Sequence, residues 1–534
     1  MADTTFSSGT VITSTWLNDA NDATYNGTAV YTPSGAGAEA TTMQAKFRES
    51  ISVKDFGAAG DGTTDDTAAI QAAIDAAYAS NHEIVRVPAG RYLVTDTLDI
   101  HFGTKIQGDN IDYGGVAGAT SYPNQLSDSK GSVIIFDPAT ELSLFVPVLP
   151  KGGSNAYTGI AIKNLNIWGN TTPDAWHRTQ LSITDDITTS LYAIDFYEVA
   201  FSTVENVAIN GFQSGIREGD RCQENTFTKV HIERCRNGGI LYSDGLLNVE
   251  PTSSVWRECV IRTCLHAVQC IDSASQTYSG DSLQIRFVDC YFEDMSSHGF
   301  ILTRTAKDWS FLNCYGELLG QDTAVATRSC FYVGGTAGLG SATSLATLSV
   351  IGGQYAGDDS AASIFLNTAY TDGVNLNGCT AKRFGVGITA TANTRDKSIY
   401  MSNPLFNSVT TLFSGTTNKL WGLYRTVDMT GASDVAIVRT DYVLSEGELQ
   451  LSGTTVRIGD GSTTSSRPGG DGTMTSGTST VRWSNVFSNL LTLKDAVTAP
   501  TVIAGHAQIY VDTTDGDLKV IFGDGTVKTI VVDT

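Results

Sequence analysis

Six segments of this chain share one pattern: an apolar residue, then a second apolar or small residue three positions later. They are Ile162-Lys-Asn-Leu-Asn-Ile, Val204-Glu-Asn-Val-Ala-Ile, Phe227-Thr-Lys-Val-His-Ile, Trp256-Arg-Glu-Cys-Val-Ile, Phe287-Val-Asp-Cys-Tyr-Phe and Phe311-Leu-Asn-Cys-Tyr-Gly. Weaker copies begin at Leu376 and Met401. Successive starts lie 42, 23, 29, 31, 24, 65 and 25 residues apart, and the gap of 65 has room for two turns, with Leu348-Ser-Val-Ile as a degenerate copy. A base period near 24 with insertions constrains the fold strongly. One such unit cannot bury its apolar face alone, whereas stacked units share a continuous core. Most units carry a second element, at Gly215-Ile216, Gly239-Ile240, Ala267-Val268, Gly299-Phe300 and Gly385-Val386. Each coil therefore has at least two short strands, joined by turns that hold Asn206, Asp289 or Asn313.

A chain of 534 residues is too long for one ordinary compact domain, a limit that repeat architectures escape. Its 54 Gly against 11 Pro suit many tight turns. The net charge of −22 disfavours nucleic acid and anionic membrane as partners. No apolar run approaches the roughly 20 residues of a membrane helix, and no basic, apolar leader opens the chain. Neither membrane insertion nor secretion of its own is expected. The nine Cys include no CxxC pair, and Cys259, Cys290, Cys314 and Cys379 recur at one position of the repeat. That reads as a reduced interior stack. No metal and no cofactor is expected.

Before the repeat, Ile51-Ser-Val-Lys-Asp-Phe leads into a Gly/Asp turn from Gly57 to Gly62, and Ile70, Ala73, Ile74 and Ala77 then follow at helical spacing. Asp65 or Asp66 can cap that helix, and the Asp-rich turn reads as structure rather than as a metal site. Glu83-Ile-Val-Arg-Val-Pro-Ala-Gly-Arg-Tyr-Leu-Val94 reads as strand, turn, strand. This order resembles the opening of the pectate-lyase-like right-handed parallel β-helix family, especially its phage tailspike branch. The resemblance is specific in residues 50 to 94 and implies that the helix covers the first, open coil.

The expected fold is all-β: a right-handed single-stranded parallel β-helix over 49–425, with a short N-terminal capping helix and a C-terminal β tip. Residues 1–48 are polar, and Ser8-Gly-Thr-Val-Ile-Thr-Ser-Thr-Trp-Leu resembles the start of phage tail proteins, where the N-terminus docks on the virion. The segment is expected to be dispensable for folding and activity. Past residue 425 the period fades. Residues 459–473 read as a linker, and Asp515-Gly516 and Asp524-Gly525 mark hairpin turns of a meander in the 426–534 region. The meander resembles phage tail tips, where three chains commonly intertwine.

Coils stack at about 4.8 Å, so outward residues form columns. One column, six residues after the repeat start, holds Glu233, Arg262, Glu293 and Glu317 on four successive coils. Alternation turns these side chains outward, beside Tyr291, Tyr315 and Asp294. Glycosidases need two carboxyls about 5 Å apart for retention, or roughly 6.5–9.5 Å for inversion. Glu293 with Glu317, or with Glu233, could supply either. The bland alternative is a solvated ladder in which Arg262 neutralises its acidic neighbours. A second column holds Asp220, Asp244, Asp272 and Arg304, with His266 and His298 on adjacent coils as further acid/base candidates. Specificity would reside in loops such as 244–251 and 272–280.

The resemblance implies a homotrimeric virion-tail protein, made in the host cytoplasm and bound through its N-terminus to a tail or adaptor protein. Its expected act is to bind and cleave a bacterial capsular or O-antigen polysaccharide, by glycoside hydrolysis. The alternatives are a lyase working by β-elimination, with Arg262 or Arg304 offsetting a uronate, and a receptor-binding fibre without catalysis.

Overall fold

The computed structural model describes residues 29–80, 84–111, 131–148, 157–169, 190–219, 221–243, 251–271, 282–302, 306–319, 328–333, 346–368, 371–390, 399–415, 420–421, 501–502, 504 and 507–531. Its body is a coil of three parallel faces. The first runs from Ile51–Ser52 through Ile84–Val87 and Lys105–Gly108 to Ile399–Ser402 and Leu420–Trp421. The second runs from Asp61–Asp65 and Gly90–Val94 to Leu405–Asn407. The long strands Ala161–Gly169, Thr203–Asn210 and Thr226–Glu233 pass through the corner between these faces. The third face is an 11-stranded sheet from Leu98–Ile100 to Thr411–Gly415. The chain is thus a parallel β-helix with three strands per coil, one more than the minimum read from the repeat.

The repeat start is a buried column. Ile51, Val85, Ile106, Ile162, Val204, Phe227, Trp256, Phe287 and Phe311 stand in register, followed by Val350, Leu376 and Met401. All but Ile51 are buried. The expected Leu348 copy is framed two residues early: Phe311 pairs with Val350. Gly352-Gly353 replace the Asn-Cys of the neighbouring coils there, which hid the register. Likewise Phe300, Phe331, Leu366 and Ile388 align on the third face, so its late copy is Gly387-Ile388 rather than Gly385-Val386.

Corners between the first two faces sit at positive φ. Asn164, Asn206, Lys229, Glu258, Asp289, Asn313 and Asn403 all have φ between 51° and 56°. Asn and Asp tolerate this left-handed region best, and they ladder from coil to coil. Asn206 Nδ2 donates to Asn164 Oδ1 at 2.8 Å, and Asn313 Nδ2 to Asp289 Oδ1 at 2.7 Å. Inside that corner all four thiols of the Cys259, Cys290, Cys314 and Cys379 column are buried.

The helix Thr67–Ala79 lies against Leu98–Ile100, Ile84–Val87 and Ile51–Ser52, burying Ile70, Ala73, Ile74 and Ala77. An open sheet end needs such a cover. The three aspartates are committed to the turn. Asp61 accepts from the amides of Thr63 and Thr64. Asp65 accepts from the amide and hydroxyl of Thr67. Asp66 is the N-cap residue, yet its carboxylate turns away from the helix and accepts from the amides of Ala59 at 2.6 Å and Gly60 at 3.0 Å. Asp66 is 1% exposed. Asp66→Ala is therefore expected to cost roughly 1–3 kcal/mol, because both amides lose their partner. Thermal unfolding checks this, and an unchanged midpoint would contradict it.

Ahead of the coil, Val30–Tyr31 pairs antiparallel with Thr41–Thr42, and a short helix follows at Met43–Phe47. The chain divides into compact units at 1–441 and 442–534. In the second unit Ala507–Val511, Leu518–Phe522 and Val527–Val531 form an antiparallel meander. Gly516 and Gly525 take φ of 74° and 86° at its two turns, where only glycine is unstrained. The linker expected at 459–473 and residues 1–28 lie outside the described residues.

Candidate functional site

On the second face side chains alternate, and inward Ile209, Ile232, Ile261, Phe292 and the buried Gly316 leave their successors outward. Those successors, Asn210, Glu233, Arg262, Glu293 and Glu317, stand in register on five consecutive coils. Two positions earlier, Tyr291 and Tyr315 are also in register, with ring centroids 5.6 Å apart. Tyr291 is 54% exposed.

The column divides into two parts of different character. Glu233, expected as an outward catalytic carboxylate, is only 9% exposed. Arg262 Nε donates to its Oε2 at 2.6 Å and Asn210 Nδ2 to its Oε1 at 2.7 Å, while His231 Nε2 lies 3.5 Å away. Burial pushes the Glu233 carboxyl up, but His231, Arg262 and Arg234 outweigh it and hold the group at about 2. A carboxyl so held is ionised near neutral pH. Arg262, a candidate for substrate binding, spends its Nε on this ion pair.

Glu293 and Glu317 are different. Both are half-buried and face one another across one coil step, which places their backbones about 4.8 Å apart. The Tyr315 hydroxyl donates to Glu317 Oε2 at 2.7 Å, and Arg383 Nη2 lies 3.5 Å from Oε1. Glu317 holds the Tyr315 phenol up at about 12, with burial adding to the effect. Asp294 follows Glu293 at φ 57°, in a corner column that includes Arg234, Thr263, Leu318, Arg383 and Ser408.

Arg383, Asn210 and His231 were not picked out from the sequence. A signal for the first was present: six residues after the repeat start at Leu376 comes Lys382, and Arg383 follows it.

The two histidines sit at the entrance to the third face, away from this column. His266 is 7% exposed and stacks on His298 with centroids 6.0 Å apart. Burial lowers both to about 4, so they are neutral at pH 7. His266 Nδ1 lies 3.1 Å from the His298 carbonyl, and His298 Nδ1 accepts from the Ser329 amide at 3.2 Å. These contacts knit coils together; His266 is buried and His298 half-buried, apart from the carboxylate column. Asp220, Asp244, Asp272 and Arg304, and the loops 244–250 and 272–280, lie outside the described residues. Among the described residues no group of three or more His, Cys, Asp and Glu could hold a metal ion.

The three-faced coil with its helix cap defines a parallel β-helix protein that carries an outward carboxylate column. Residues 50–291 match the model of the family described as rhamnogalacturonase A/epimerase, pectate lyase-like. A mutant tailspike protein of E. coli bacteriophage HK620, solved in complex with pentasaccharide, shares the fold: 11% identity over 76% of this chain and 70% of that one, with a TM-score of 0.51. Mannuronan C5-epimerase AlgE5 of Azotobacter vinelandii is 70% identical over 43 residues, 8% of this chain and 4% of that protein. Alginate lyase 7 of the same organism is 51% identical over 59 residues, 11% of this chain and 7% of that protein. The chain spans less than a tenth of the length of these curated relatives.

Proposed function

We propose that this chain is a phage tailspike depolymerase that binds and cleaves a bacterial capsular or O-antigen polysaccharide by glycoside hydrolysis. The observation that carries the reading is the one-step register of Glu293 and Glu317 beside the exposed Tyr291–Tyr315 pair. Neighbours one coil step apart can bring their carboxyl groups to the roughly 5 Å that retention needs. Glu317, oriented by Tyr315 and Arg383, attacks the anomeric carbon, while Glu293 gives its proton to the departing glycosidic oxygen. Water then displaces the sugar from Glu317, with Glu293 taking the proton back. The tyrosine rings offer faces on which sugar rings can stack. The protein works as a homotrimer on the virion tail, attached through residues 1–48.

A second reading, β-elimination on a uronate, draws on Arg383 beside Glu317 as the cation that offsets the substrate carboxylate. The two reactions, and a fibre that only binds, are separated by one experiment. Purified protein, with its mass of three chains checked by light scattering, is incubated with a panel of capsules and O-antigens. Hydrolysis is expected to shorten one of them into fragments that each gain the elements of water. Fragments that absorb in the ultraviolet through a new double bond would replace hydrolysis by elimination. Binding without shortening would leave the fibre.

A further inference from the structure

We infer that Arg383 is the positioning residue of the Glu293–Glu317 pair, an inference that rests on the hydrolytic reading above. Arg383 lies two coils beyond Glu317, since Gln354–Ala356 pairs with both Tyr315–Leu319 and Thr380–Lys382. That is a step of about 10 Å at the backbone. The guanidinium spans it. Nη2 lies 3.5 Å from Glu317 Oε1, and Nη1 lies 3.9 Å from Asp359 Oδ2.

Three features make this reach possible. Arg383 sits at φ 58°, at the corner where the chain leaves the second face. The coil it crosses is small at this place: Ala356 and Gly357 stand where other coils carry Glu317-Leu318 or Glu293-Asp294. Gly357 has no room for a side chain, because a Cβ there would meet the Arg383 carbonyl oxygen at 2.5 Å. The two coils are locked in register as well, with the Gly357 amide donating to the Lys382 carbonyl and the Asp359 amide to the Arg383 carbonyl.

The arrangement approaches Glu317 from two sides. Tyr315 donates to Oε2 and the Arg383 guanidinium approaches Oε1, so the two groups bias how the carboxylate is turned. A fixed carboxylate is what in-line attack requires, since misplacement by about 1 Å can cost on the order of 10²-fold.

The test uses the full chain and whichever polysaccharide it shortens. Arg383→Gln is expected to lower kcat on the order of 10²-fold with KM little changed. Arg383→Lys should recover part of the loss, as charge returns without the planar fork. In a Glu317→Gln background, Arg383→Gln should cost nothing more, because its effect passes through Glu317. A melting temperature equal to that of the unsubstituted chain shows that the body is intact. Full activity of Arg383→Gln, or a further loss on top of Glu317→Gln, overturns the positioning role and leaves the hydrolase reading standing. Failure of the unsubstituted chain to shorten any polymer removes both.

Discussion

On the hydrolytic reading, Glu293→Gln is expected to reduce polysaccharide cleavage by about 10²–10⁴-fold, the range of a lost general acid, with the oligomeric state and melting temperature unchanged. The substitution removes a proton donor and almost no volume, on an outward position that is half-buried and outside the apolar core. Glu233→Gln provides the contrast within one column. It leaves Arg262 and His231 facing a neutral amide at a site only 9% exposed. Breaking a buried pair from one side costs roughly 3–5 kcal/mol, so this variant should lose stability first. The pH dependence separates the two further. The folded Glu233 carboxyl is held at about 2, below its ordinary value. Its stabilisation is therefore complete above the ordinary carboxylate range and is lost as the pH falls toward 2. The Glu233→Gln protein should lack this acid-dependent part. Normal cleavage by Glu293→Gln would move the chemistry elsewhere, to the aspartate column of Asp244 and Asp272 in the first instance.

Trp256→Ala is expected to destabilise the body by about 3–5 kcal/mol. Trp256 is fully buried in the aromatic column that begins at Phe227. Its ring stacks on Phe227 at 3.8 Å between centroids, and Phe287 follows at 6.0 Å. Its indole N–H donates to the Tyr242 hydroxyl at 2.7 Å. Removing it opens a cavity in a close-packed stack and leaves Tyr242 short of one partner. The same buried cluster holds Glu218, 0% exposed, with Asn225 Nδ2 at 2.9 Å and the Ser254 hydroxyl at 2.8 Å from one oxygen. Burial pushes that carboxyl up. Guanidinium unfolding of Trp256→Ala beside Trp256→Phe measures the difference. Phe keeps a ring in the stack and loses the hydrogen bond and part of the indole's volume, so it should cost less than Ala. Equal stability of the Ala variant and the unsubstituted chain would show that the column does not support the coil.

The β-helix was legible because its core repeats. A solenoid places the same demand on every coil, so Ile162, Val204, Phe227, Trp256, Phe287 and Phe311 announce one column without reference to any distant part of the chain. The reading slipped where that local demand relaxed. At Val350 the Gly352-Gly353 pair met the corner geometry in place of Asn-Cys, and the frame moved by two residues. At Gly387-Ile388 it moved by the same amount.

The outward carboxylate column was legible for the same reason, since period-two alternation acts on every coil alike. Which of its members is a solvated acid was not. Glu233 and Glu293 occupy equivalent positions in the repeat, yet His231, Asn210, Arg234 and Arg262 close around the first. Arg383, 66 residues beyond Glu317 in the chain, arrives beside it only because two coil steps and a small Ala356-Gly357 coil bring it there. The sequence by itself determined the coil, its core column and the face that carries the acids, because those follow from local periodicity. The tertiary structure alone decided which acid is buried in an ion pair and which stands beside a tyrosine and an arginine, because burial and charge depend on neighbours that stacking supplies.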